Sequence, residues 1–110
     1  NKNLIIPNRI LNSISKFNTK NKIYDYGIKI QKNTFKALDK YAILPINLSY
    51  AYCMALCIIG GANKIFLAGF DGYGKNYKLQ NQMLSVIKLI KKNYKKIKLI
   101  SLTKTQYRFK

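Results

Sequence analysis

Residues 44–73 read LPINLSYAYCMALCIIGGANKIFLAGFDGY. The run predicts a strand end, a helix, a double-glycine stop, a buried strand and a glycine-rich turn. The helix is expected over Leu48–Ile59. Tyr50, Ala51, Met54, Ala55, Leu56, Ile58 and Ile59 leave it almost no polar face, the pattern of a helix buried on more than one side. Asn47 or Ser49 is placed to cap its start by accepting an orphan backbone N–H. Gly60-Gly61 is placed to end it, because glycine takes the left-handed conformation without a Cβ clash. Ile65-Phe66-Leu67-Ala68 is a short continuous apolar run and predicts a strand covered on both faces. Gly69–Gly74 (GFDGYG) then turns at that strand's carboxyl end, the edge where open α/β sheets bind their ligands.

On the amino-terminal side, Asn3–Ile6 (NLII) predicts a short strand ended by Pro7. Asn8 is a candidate N-cap for a helix over Arg9–Phe17, with Ile10, Leu11, Ile14 and Phe17 on one stripe. Tyr24–Ile30 alternates as a half-buried strand, Gln31–Thr34 is a turn, and Phe35–Leu38 is expected to return as the second strand of a hairpin. Tyr41-Ala42-Ile43-Leu44 leads into Pro45. On the carboxyl side, Leu79, Met83, Val86, Ile87, Ile90 and Tyr94 fall at helical spacing within Tyr77–Tyr94. Ile97, Leu99 and Ile100 predict a strand, and the tail carries Tyr107 and Phe109, read either as an edge strand or as a frayed end.

This order gives an α/β fold: a Rossmann-like three-layer sandwich, its sheet mostly parallel, with helices on both faces and one hairpin. The 110 residues suffice for a single domain spanning residues 1–110. The chain begins at Asn1 rather than Met, and is read as the carboxyl-terminal piece of a longer protein. The loops Pro7-Asn8, Pro45–Asn47, Gly69–Gly74 and Ser101–Thr103 are expected to meet at one rim. The ligand-binding candidates there are Asn8, Asn47, Ser49, Gly69, Asp71, Gly72, Tyr73 and Thr103.

Lysine and arginine number 21 against 3 acids, a formal net charge of +18. Such a charge fits a polyanion or an anionic membrane surface. It fits a compositional drift better, since Lys, Asn, Ile and Tyr rise together, the lysines are scattered along the chain, and only Arg9 and Arg108 are arginine. Arginine is the residue favoured for bidentate phosphate and guanine contacts. The longest apolar run is too short for a bilayer span of roughly 20 residues, and no signal peptide is visible. Cys53 and Cys57 lie one helical turn apart and read as small core hydrophobes. Reduced thiols fit the cytoplasm.

The chemical inventory is thin. The chain has no His and no Glu, and its carboxylates are Asp25, Asp39 and Asp71. A Ser/His/Asp or Cys/His site is excluded within it, and no residue set matches a metal site. GFDGYG lacks the dinucleotide-binding spacing. Asp71, flanked by glycines, either approaches a ligand hydroxyl or shapes the loop through an Asx turn. Tyr73 either stacks on a base or sugar ring or is a half-buried loop aromatic. Asn47 and Ser49 sit where a helix N-terminus holds an anion, or simply cap the helix.

YDYGIKIQKNTF (24–35), the 44–73 run and ISLTKTQYRF (100–109) together resemble the carboxyl-terminal extension of 4-hydroxy-2-oxovalerate aldolase-like proteins of bacterial surface-polysaccharide synthesis. The resemblance covers residues 4–109, and its most specific parts are the AYxxA helix before GGA and the LAGFDGY strand-turn. More distantly, the same helix, strand and turn are similar to bacterial sialyltransferases, with their Gly-x-Asp-x-Tyr turn, and to pterin-pyrophosphokinase-like glycan-modifying domains. The sialyltransferase likeness would place Asp71 and Tyr73 near a nucleotide sugar. The run into the helix reads PINLSY rather than a small Thr/Ser-Gly, and no residue replaces the catalytic His. The resemblance implies a cytoplasmic ligand-binding or accessory domain. Three alternatives stand beside it: a docking domain for an attached aldolase-like catalytic domain, a glycosyltransferase-like domain completed by residues elsewhere, and a polyanion binder. The implied partners are a nucleotide sugar or sugar phosphate and the attached domain, with a homo-oligomer open. No specific nucleic acid and no membrane span are called for. No cofactor is assigned to this piece, and a divalent metal would belong to the attached domain.

Overall fold

The computed structural model describes residues 4–5 and 23–109. It is an α/β structure whose described strands are β1 (Leu4–Ile5), β2 (Ile23–Tyr24), β3 (Gly27–Ile30), β4 (Lys36–Ala37), β5 (Tyr41–Leu44), β6 (Lys64–Leu67) and β7 (Lys98–Ser101). Its described helices are α1 (Ser49–Ile59) and α2 (Tyr77–Asn93). Strand β1 pairs parallel with β2, β3 parallel with β5, and β6 parallel with β7. The expected helix over Arg9–Phe17 lies outside the described residues.

Helix α1 follows its expected bounds to within one residue. Its stop is a Schellman motif: the Ala62 N–H donates to Cys57 C=O and the Gly61 N–H to Ile58 C=O, both at 3.0 Å. Gly61 takes the left-handed φ of 87° that this closure requires. The helix is less enclosed than its composition predicts. Tyr50, Ala51, Met54 and Ala55 are buried, while Cys53 and Ile59 are exposed. Cys53 is therefore not a core residue, and both cysteines are free thiols. Helix α2 buries Met83, Val86, Ile87 and Ile90, one stripe at the spacing of an amphipathic helix. Asn76 caps it, its Oδ1 accepting from the Leu79 N–H at 3.2 Å.

The hairpin differs from expectation. β4 pairs antiparallel with β5, not with β3, and β3 joins β5 in parallel. The reversal comes at Asp39-Lys40, closed by Leu38 N–H to Tyr41 C=O at 3.0 Å. Parallel β3 and β5 need an excursion between them, and the Gln31–Thr34 turn and β4 supply it. The outer edge of β4 is capped by side chains from the end of α2. The Ala37 N–H donates to the Tyr94 hydroxyl at 2.9 Å, and Asn93 Nδ2 donates to Phe35 C=O at 3.2 Å. An edge strand covered in this way offers no free ladder to another chain.

Both helices feed one buried cluster. Met54 and Ala55 of α1 and Met83, Val86 and Ile90 of α2 share it with Ala42, Leu44, Ile65, Leu67 and Leu99 of the strands. Burying a side chain of Met54's size contributes about 2 kcal/mol. Tyr107 and Phe109 also belong to the cluster, so the tail packs as an extended strap instead of fraying. The β6 run is not covered on both faces. Ile65 and Leu67 are buried, but Phe66 is 58% exposed, because both described helices lie on the side that Ile65 and Leu67 face.

Candidate functional site

The residues that meet at a rim are those following β6 and β7. The Gly69 N–H donates to Thr103 Oγ1 at 3.0 Å. The Thr105 hydroxyl donates to Phe70 C=O, and the Gln106 N–H donates to Asp71 C=O at 2.9 Å. Gln80 of α2 completes the clamp: its Oε1 accepts from both the Tyr73 N–H and the Tyr107 hydroxyl, each at 3.0 Å. The 69–74 loop is thus held from two sides by side chains. Gly72, at φ 126°, lies so close to Gln106 that an added Cβ would come within 2.6 Å of its Oε1. Glycine is favoured there by conformation, and a Cβ would also have to displace the exposed Gln106 side chain.

Of the sequence candidates, Gly69, Asp71, Gly72, Tyr73 and Thr103 come together in this clamp. Asp71 is held by its backbone alone. Among the described residues no partner engages its carboxylate, and the residue is exposed, so it does not form the Asx turn weighed from the sequence. The Tyr73 ring is 44% exposed. Burial, and then the neighbouring Tyr73, push the Tyr107 hydroxyl above its ordinary pKa, so it stays a neutral donor to Gln80. Asn8 lies outside the described residues.

Asn47 and Ser49 do not cap α1. The N-cap residue is Leu48, in extended conformation, and among the described residues no side chain caps the first turn. The reason is register: Ser49 is already the first helical residue and Asn47 falls one position before the cap. The first-turn N–H groups are therefore left for solvent or a ligand. This turn adjoins the clamped loop through Tyr50, whose ring meets that of Phe70 edge-on, centroids 5.2 Å apart. Tyr50 is 6% exposed, and its hydroxyl has no hydrogen-bond partner among the described residues. Burial raises its pKa strongly.

The sequence pattern assigns no site role to the clamp residues Gln80, Thr105, Gln106 and Tyr107. Three are polar and stand outside any apolar periodicity, and their partners are 7 to 35 positions away. The one available signal was the alternation Thr105-Tyr107-Phe109, which marks an extended strap with one face inward. Among the described residues no group of three His, Cys, Asp or Glu side chains converges as for a metal, and no helix is long and apolar enough to cross a membrane. Family models, curated proteins and solved structures offer no match to the chain.

Proposed function

We propose that this domain binds a sugar phosphate or nucleotide sugar at the rim formed by the α1 first turn, the 69–74 loop and Thr103. In this reading it is a ligand-binding or accessory domain of a cytoplasmic enzyme of bacterial surface-glycan synthesis. The observation that carries the reading is the pairing of an uncapped helix start with an unengaged carboxylate on a clamped loop. Backbone N–H groups at a helix N-terminus suit a phosphate. The Asp71 carboxylate suits a sugar or ribose hydroxyl, which donates to it, and the Tyr73 ring offers a stacking surface. The strongly basic chain adds a long-range attraction for the phosphorylated ligand. The absence of His and Glu in the sequence favours binding over acid–base chemistry.

The strand pairings support the finer fold reading. β5–β3, β2–β1 and β6–β7 belong to three separate small sheets, and they would be neighbours in one doubly wound parallel sheet if β1 lay beside β6. The rim then corresponds to the carboxyl edge of that sheet. Calorimetric titration with CMP, UDP and GDP sugars at physiological salt tests the function. Saturable binding is expected with at least one of them. Asp71→Asn is expected to weaken it about tenfold, the loss of a charge-assisted hydrogen bond. Absence of heat with every ligand, with no movement of the Tyr73 resonances, would overturn the reading.

A further inference from the structure

Among the described residues, the β6–β7 ladder leaves one face uncovered. Its register sets Lys64 beside Lys98 and Phe66 beside Ile100. The ladder continues through Leu102 N–H to Leu67 C=O at 2.7 Å. By the period of two, Lys64, Phe66 and Ala68 share the outer face with Lys98, Ile100 and Leu102. The face therefore runs from a pair of lysines to an apolar patch in which Phe66 is 58% and Leu102 65% exposed. At the lysine end, Lys95 and Lys98 line a cleft of about 440 Å³ at the edge of β7, together with Lys91 and Tyr94 from the end of α2 and with Leu99 and Ile100. None of the three acids of the chain lies on either strand.

We infer that this outer face is a docking surface for an anionic lipid bilayer, with Phe66, Ile100 and Leu102 entering the interface and Lys64, Lys95 and Lys98 meeting headgroup phosphates. Phe66 and Leu102, exposed beside the half-buried Ile100 and accompanied by lysines, have this combination of attractions. Charge decides against a second copy: two such faces would bring lysines against lysines with no acid between them. Side-chain chemistry decides against nucleic acid. The neighbours of Phe66 are aliphatic and offer a base no stacking surface, and the cations are lysines rather than the arginine that grips phosphate bidentately. The surface is distinct from the rim and does not depend on what the rim binds.

The chain has no tryptophan, so Phe66→Trp places a single reporter on the face. The experiment mixes the full chain with vesicles of phosphatidylglycerol and phosphatidylcholine, and with phosphatidylcholine alone, at physiological salt. A blue shift of the introduced indole's emission, with quenching by brominated lipid, is expected only with the anionic vesicles. Two charge-matched variants separate a site from diffuse charge. Lys64→Gln with Lys98→Gln is expected to lower vesicle partitioning about tenfold. Lys78→Gln with Lys88→Gln should lower it less than about twofold, because neither lines the cleft that Lys95 and Lys98 share, α2 packs against the inward side chains of the ladder, and salt screens charges beyond ~10 Å. Equal losses from both pairs would overturn the inference and leave only nonspecific attraction. So would an indole emission already blue before vesicles are added, which means that a segment of the chain or a second copy covers the face. A blue shift produced by a single-stranded oligonucleotide but not by vesicles would overturn it in favour of nucleic acid.

Discussion

Gly61 and Gly72 both hold left-handed backbone, but for different reasons, and their alanine variants should separate them. Nothing lies within 4 Å of a Cβ at Gly61, so Gly61→Ala meets only the conformational cost, about 1 kcal/mol. At Gly72 the φ of 126° is less accessible to alanine, and the Gln106 side chain must also move. Gly72→Ala is expected to cost about 2–3 kcal/mol in denaturant unfolding and to weaken any rim ligand, while Gly61→Ala leaves binding intact. Equal losses at the two positions would mean that the loop and Gln106 are not packed together in solution. The glycines were legible in the sequence as turn formers. Their different burdens were not, because Gln106 is brought to Gly72 by the tail.

At the scale of the elements, α2 is readable because its apolar residues repeat at helical spacing, and α1 because an almost wholly apolar run ends at Gly60-Gly61. The hairpin pairs otherwise than the sequence indicates because β4 has only two paired residues, too few for alternation to show which strand it joins. What places β4 is partly remote: Tyr94 and Asn93, at the end of α2, bond its outer edge. Tyr94→Phe keeps the ring that packs edge-on against Phe35, at 5.9 Å, but removes the acceptor for the Ala37 N–H. The loss should be about 1 kcal/mol of stability, with faster amide exchange at Ala37. An unchanged exchange rate there would show that the Tyr94 hydroxyl does not hold the edge.

Across the whole molecule, charge is the dominant unbalanced term, at +18. Lys88, Lys92 and Lys95 are exposed, and Lys88 and Lys92 stand at i, i+4 along α2. Like charges at that spacing repel by about 0.2–0.5 kcal/mol per pair. Replacing all three with Gln should leave stability unchanged or raise it by several tenths of a kcal/mol, most clearly at low salt, where screening is weak. A loss of more than about 2 kcal/mol would exceed ordinary surface effects. It would mean that these lysines contact something in the native assembly.

From the sequence alone came the α/β class, the two described helices and the strands that flank them, the Gly61 stop and the turn after β6. Each is carried by residues within one or two turns of one another, where periodicity and backbone preference act. Tertiary structure decided which strands pair, that Leu48 and not Asn47 or Ser49 begins α1, and that Phe66 faces outward. It also decided that Gln80, Thr105 and Gln106 hold the rim loop. Those outcomes depend on contacts between positions far apart in the chain, and single polar side chains reaching across such distances leave no repeating pattern. The core could be foreseen because burial is collective, whereas the clamp rests on a few directional hydrogen bonds whose partners only the folded chain brings within 3 Å or so.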